Sequence, residues 1–225
     1  MACVFYNRSE KMIEENYLTV LYQRIRLLTD TVDDMMKNVC NINIKASCDS
    51  EIKEELKAYL EDRNENRLSE ISNRLRIFAK MDQTISSLYL VIPDENRVVT
   101  TLDYPVYRSD VNDKSIQEFQ KKSRENNGPV IMDDLVHDES KVLQFVEDVT
   151  DDDGNVLGYV CANIEEQKLS YDYLEDPMNQ ELEQLELIRD GKIIAARRLS
   201  QMGREIQVKN SEQWSEYSEA AGIDK

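Results

Sequence analysis

Tyr107 and Arg108 stand side by side in a stretch that also holds Tyr104 and Pro105. A guanidinium offers two parallel donors and a phenol a third, so this pair could clamp a carboxylate; the alternative is a solvated arginine beside a structural tyrosine. Asp133 and Asp134 follow a short apolar run and could accept hydrogen bonds from a polyol or an ammonium, or else cap a turn. Leu157, Tyr159, Cys161 and Asn163 alternate along one segment, which places them on one face of a strand. Together with Phe145 they would line a pocket, or they form a half-exposed strand face. Val156, Gly158, Val160, Ala162 and Ile164 between them are small or apolar and should face the core.

Other candidates lead away from catalysis. The run Asp151-Asp152-Asp153-Gly154-Asn155 invites calcium, but in a twelve-residue calcium loop ending at Val160 the first ligand would be Val149 and the last Val160, neither able to bind. Asp-Gly between two apolar runs is a hairpin turn signal instead. His137 is the single histidine, set among Asp138 and Glu139, and no Gly-x-Ser-x-Gly or Cys–His arrangement accompanies it. The four cysteines, Cys3, Cys40, Cys48 and Cys161, form no Cys-x-x-Cys pair, so a zinc site does not fit the spacing. We expect no catalytic residues, no metal and no cofactor in this chain.

The elements that must position these residues fall into three parts. Between Ile13 and Ile42 apolar residues recur every three or four positions without Gly or Pro, about eight helical turns. Such a helix is read either as a coiled-coil stalk or as one packed along its own domain. Ser47 or Asp49 would cap a short helix over 51–60, and a third helix would follow over 64–80. The pattern then switches to strands: 87–92, 97–101, a short 130–132, 141–149 and 156–164, with a helix around 113–125 as an insert. Residues 170–188 read as a connector helix running into a small hairpin around Asp190-Gly191, and the tail 211–225 is polar and weakly helical. This predicts an α+β fold: an antiparallel sheet with helices on one side.

The chain has 225 residues, enough to bury a core without disulfides. Its 28 Lys and Arg against 45 Asp and Glu give a net charge of −17, which repels phosphate backbones and argues against nucleic acid as a partner. No run of about 18 apolar residues marks a membrane span. The start MACVFYN, passing almost directly into helix, reads as part of something longer.

The segments YLTVLYQRIRLLTDTVDDMMKNVCNINIKAS, SLYLVIPDENRVVTT, KVLQFVEDVTDDDGNVLGYVCANI and QLELIRDGKIIAA, taken in that order, resemble the extracytoplasmic double-Cache, PAS-like sensor domains of bacterial receptors, especially of sensor histidine kinases. The resemblance covers roughly residues 15 to 200 and rests on pattern rather than on a motif. It implies a long N-terminal helix packed on a PAS-like antiparallel sheet, with a partial second unit. Residues 1–84 would be the signalling helix and connector, 85–170 the membrane-distal ligand-binding unit, and 171–225 a connector helix and an incomplete membrane-proximal unit. It implies a small-molecule ligand held by the central strands and the loop after the second strand, at Tyr89, Tyr107, Arg108, Asp133, Phe145, Tyr159, Cys161 and Asn163. It further implies an extracytoplasmic location, flanking transmembrane helices in the full-length protein, and a homodimer through the N-terminal helix. The alternative is a protein–protein interaction module without a small-molecule ligand.

Overall fold

The structure, a computed structural model, describes residues 2–101, 107–108, 119, 121, 128–135, 141–174, 186–189, 192–196 and 202–204, with side chains from Asn16 onward except at 107, 108 and 189. The chain divides into two units, one of residues 1–34 and 206–225, the other of residues 35–205. Helix α1 (Ala2–Ser47) contributes to both. In the first unit, Tyr17, Val20, Ile25 and Leu27 of α1 are exposed and Val32 is buried. No helix among the described residues is long and apolar enough to cross a membrane.

In the larger unit α1 ends where Ser47 Oγ donates back to the Ile44 carbonyl at 3.0 Å. Asp49 then starts α2 (Ser50–Asp62), its carboxylate accepting from the Ile52 N–H. Asn64 does the same for α3 (Glu65–Ala79), accepting from the Asn66 N–H. These side chains satisfy donors that a helix start leaves without partners. Two arginines lock the α2–α3 hairpin: Arg74 forks onto both oxygens of Asp49, and Arg67 bridges Asp62 and Glu55 at 2.9 Å each. The hairpin buries Ile52, Leu56 and Tyr59 from α2 and Leu68, Ile71, Leu75 and Phe78 from α3.

The main sheet holds β1 (Ser87–Ile92), β2 (Arg97–Thr100), β3 (Tyr107–Arg108), β4 (Val130–Asp133), β5 (Lys141–Thr150) and β6 (Val156–Glu165). Their order is β3-β2-β1-β6-β5-β4, and every pairing is antiparallel. The two central strands, β1 and β6, come from opposite ends of the sheet segment, so the sheet closes only after the hairpin β5–β6 returns. All six residues of β1 are buried, which explains why SLYLVI lacks an apolar–polar alternation: both faces are covered.

The helices cover the face that carries Leu88, Leu90, Val160 and Ala162. Asn43 of α1 reaches the carbonyls of Phe145 and Val160, and Ser72 of α3 donates to the Thr100 carbonyl at 2.7 Å. Gly158 lies against α2 here, and a Cβ on it would stand 2.8 Å from the Val91 carbonyl oxygen and 3.5 Å from Leu56. A side chain does not fit so close to the backbone of the neighbouring strand β1.

After β6 comes a single turn of helix, α4 (Glu166–Leu169), continued by a π-turn (Ser170–Leu174) rather than by the regular helix expected from residue 170. Strands β7 (Glu186–Arg189) and β8 (Lys192–Ala196) form the expected hairpin. Residues 202–204 extend it, with Ile193 N–H donating to the Arg204 carbonyl and Gly203 N–H to that of Ile193. The carboxylate of Glu166 anchors this segment by accepting from the Met202 N–H at 3.1 Å. The insert helix around 113–125 lies outside the described residues except for Phe119 and Lys121, which are helical, and so do His137 and the tail.

Candidate functional site: the sheet face opposite the helices

Strand register decides which residues share the second face. Tyr89 opposes Cys161 and Val91 opposes Tyr159 between β1 and β6, while Val98 opposes Val91 on the β2 side. On β5, Gln144 opposes Asn163 and Val146 opposes Cys161. Tyr89, Val91, Val98, Tyr159 and Cys161 therefore form one row, and Phe119 and Met132 complete a buried cluster over it, with Val130, Leu135 and Val146 packed at its margin. Phe119 meets Tyr159 edge to face, with ring centroids 5.5 Å apart.

One polar pair lies in this apolar cluster. The Tyr89 hydroxyl donates to Asp134 Oδ1 at 3.0 Å, both residues buried. Strands β6 and β5 separate Tyr89 from β4, so Asp134, the first residue after β4, lies over the sheet face rather than in its plane. Burial, and then the charge of Asp134, push the Tyr89 phenol well above the usual tyrosine range. It stays a neutral donor at physiological pH. Burial also pushes the Cys161 thiol far up, which makes it a small apolar side chain and not a nucleophile.

A second polar row runs along the same face. Gln144 Nε2 donates to Asn163 Oδ1 at 2.7 Å, and Asn163 Nδ2 donates to Ser87 Oγ at 3.1 Å, all three residues buried. Gln144 Oε1 has no hydrogen-bond partner. The face thus offers a carboxylate held by a phenol, a row of amides with one acceptor to spare, and an apolar and aromatic floor between them. That combination can bind a small molecule carrying hydrogen-bond donors on an apolar body.

Four expected residues, Tyr89, Tyr159, Cys161 and Asn163, meet on this face. Phe145 does not: it opposes Ala162 and so belongs to the helix-covered face. The reason is a bulge, since Thr150 opposes Val156 but Val149 opposes Gly158, and the skipped residue reverses the parity of everything before it. Asp133, in register with Lys141, is exposed, and its neighbour Asp134 takes the buried position. Arg108 opposes Val98 and Tyr107 opposes Val99, two successive positions of edge strand β3; their side chains lie outside the described residues. Met132 and Phe119 were not singled out from the sequence. Met132 was legible as an apolar residue of the short strand marked at 130–132, whereas nothing local marks Phe119.

The Asp151–Asn155 run is a hairpin turn, as expected. Asp151 accepts from the Asp153 and Asn155 amides and from the Asn155 side chain, and Gly154 takes the left-handed φ of +84°. A distinct cavity of about 300 Å³ opens between α2 and α3, lined by Glu51, Glu54, Glu55, Glu70, Ile71 and Arg74. It shares no residue with the sheet face.

No protein-family model and no curated protein matches the chain. Solved structures do. The ligand-binding domain of the Campylobacter jejuni chemoreceptor Tlp3, in complex with 4-methylisoleucine, superposes with a TM-score of 0.58 at 14% identity, over 83% of this chain and 72% of that one. The extracellular domain vpHK1S-Z8, assigned to a histidine kinase, gives 0.57 at 17% identity over 80% and 68%. The periplasmic sensory domain of the C. jejuni chemoreceptor Tlp1 gives 0.54 at 14% identity over 88% and 79%. At these identities the likeness shows the fold alone: a long N-terminal helix on an antiparallel sheet, as in these sensor domains.

Proposed function

We propose that this chain is the extracytoplasmic small-molecule-sensing domain of a bacterial transmembrane signal-transduction protein, a histidine kinase or a chemoreceptor. The observation that carries it is the Tyr89–Asp134 pair buried against an apolar cluster of the sheet face, in a fold shared with sensor domains. Holding a carboxylate in an apolar cluster is costly unless it is well partnered, and a ligand donor is a natural further partner. A buried carboxylate within a chain of net charge −17 favours neutral or cationic ligands over anions. Met132, Val91, Val98 and the rings of Phe119 and Tyr159 would take the apolar body of such a molecule. The chain itself has a binding role, and catalysis belongs to the output domain of the full-length protein.

A thermal-shift screen against amino acids, amines, sugars and small organic acids tests this. A ligand at 100 times its Kd adds about 2.7 kcal/mol of stability. Hits confined to one donor-bearing class support the reading. Silence in a folded sample, or hits among dianions alone, contradicts it.

A second reading, self-association through α1, has its own observation: Tyr17, Val20, Ile25 and Leu27 are large, apolar and exposed on that helix.

A further inference from the structure

The buried side of α1 carries Met35, Met36, Val39, Ile42 and Ala46, together with two polar residues, Asn43 and, at the end of the helix, Ser47. Asn43 is fully buried and its amide straddles two strands. One Nδ2 donates to the Phe145 carbonyl of β5 at 3.0 Å and to the Val160 carbonyl of β6 at 3.2 Å. Its Oδ1 is buried without a partner. A flipped amide would aim that oxygen at two carbonyl oxygens, so the hydrogen bonds fix the orientation. An unpartnered buried acceptor is a penalty that a leucine of similar shape would not carry. A polar residue set into an apolar helix seam is known to specify one register at a cost in stability.

The next residues along those two strands look the other way. Val146 follows Phe145, and Tyr159 and Cys161 flank Val160; all three belong to or border the candidate binding face. Any change in the spacing or twist of β5 and β6 imposed on that face moves the two carbonyls that Asn43 holds. We infer that Asn43 is a coupling residue, a pin through which the state of the Tyr89–Asp134 face and the seating of α1 on the sheet are linked. This presupposes the sensing role of that face and adds the residue by which α1 is informed of it. Coupling is reciprocal, so a change at Asn43 must alter the binding face even without ligand.

Cys161 is a built-in reporter, since its buried thiol reacts only when the face opens. With Cys3, Cys40 and Cys48 replaced by serine, its labelling by an aromatic disulfide reagent measures that opening. Global stability is measured in parallel by urea unfolding. Asn43→Leu and Asn43→Gln should each change the labelling rate at least tenfold beyond what their change in global stability accounts for. Val39→Ala, an apolar contact of the same helix, should change it only in step with global stability. Were both Asn43 variants to follow global stability as Val39→Ala does, Asn43 would be a packing residue and the inference would fail. No ligand enters this experiment, so its outcome and that of the ligand screen are independent.

Discussion

Tyr89 and Asp134 lie 45 positions apart in the chain, with two strands between theirs in the sheet, yet the phenol donates to the carboxylate at 3.0 Å inside an apolar cluster. The bond holds Asp134 over the sheet face and places a buried acid there. Removing the donor takes one hydrogen bond from that buried carboxylate. Tyr89→Phe should therefore destabilise the chain by about 1–3 kcal/mol, measured by urea unfolding at neutral pH. A change within about 0.5 kcal/mol would show that Asp134 does not depend on the phenol.

Burial, and then the charge of Asp134, raise the pKa of Tyr89, which makes this residue visible at alkaline pH. An unfolded tyrosine loses its proton near pH ~10, whereas the folded one keeps it. The folded state then binds one proton more than the unfolded state, and stability falls as pH rises. The stabilisation is complete below the unfolded value and declines above it, by about 1.4 kcal/mol per pH unit for this group. Denaturation between pH 9 and 11.5 should show a shallower decline for Tyr89→Phe than for the parent chain. Parallel slopes would mean that Tyr89 titrates normally.

Much of the architecture is legible locally, because periodicity and caps are local signals. Asp49 and Asn64 announce the starts of α2 and α3, and β1 runs over the residues its apolar run marks. Site membership is not local. Counting back from the turn pair Thr150–Val156 puts Phe145 opposite Cys161, on the binding face. The bulge after Val149 puts it opposite Ala162, on the helix face. Likewise, choosing between Asp133 and Asp134 needs the exit direction of β4, which tertiary packing sets. Asn43 went unremarked because a single asparagine in a long helix carries no signal until the sheet carbonyls above it are known.

Asp49 combines a helix cap with the two-pronged ion pair to Arg74. Asp49→Ala should cost about 1–2 kcal/mol, the upper range for losing a cap, and should lower the unfolding midpoint without changing ligand hits. If hits vanish while the fold persists, the α2–α3 region takes part in binding.

Gly158 has no room for a methyl group, because the obstacle is the Val91 backbone oxygen rather than a movable side chain. Gly158→Ala should destabilise by about 1–3 kcal/mol, as overpacking does. A neutral outcome in thermal unfolding would place the Val91 carbonyl further from Gly158 than the structure has it.

The exposed apolar residues of α1 separate the two readings of function. If they pair two copies, sedimentation should show a dimer that Ile25→Glu with Leu27→Glu converts to monomer, leaving ligand hits in place. A concentration-independent monomer in the parent chain removes the self-association reading.

The most direct measurement is a methyl NMR titration with methionine-labelled protein and a hit from the screen. Met132 sits in the Tyr89–Tyr159 cluster, and Met35 and Met36 sit on α1 in the same unit. The account predicts a large shift of the Met132 methyl at saturating ligand, smaller shifts of Met35 and Met36 with the same midpoint, and loss of all three responses in Asp134→Ala. A saturable ligand that leaves Met132 unmoved, or that binds Asp134→Ala equally well, would contradict it.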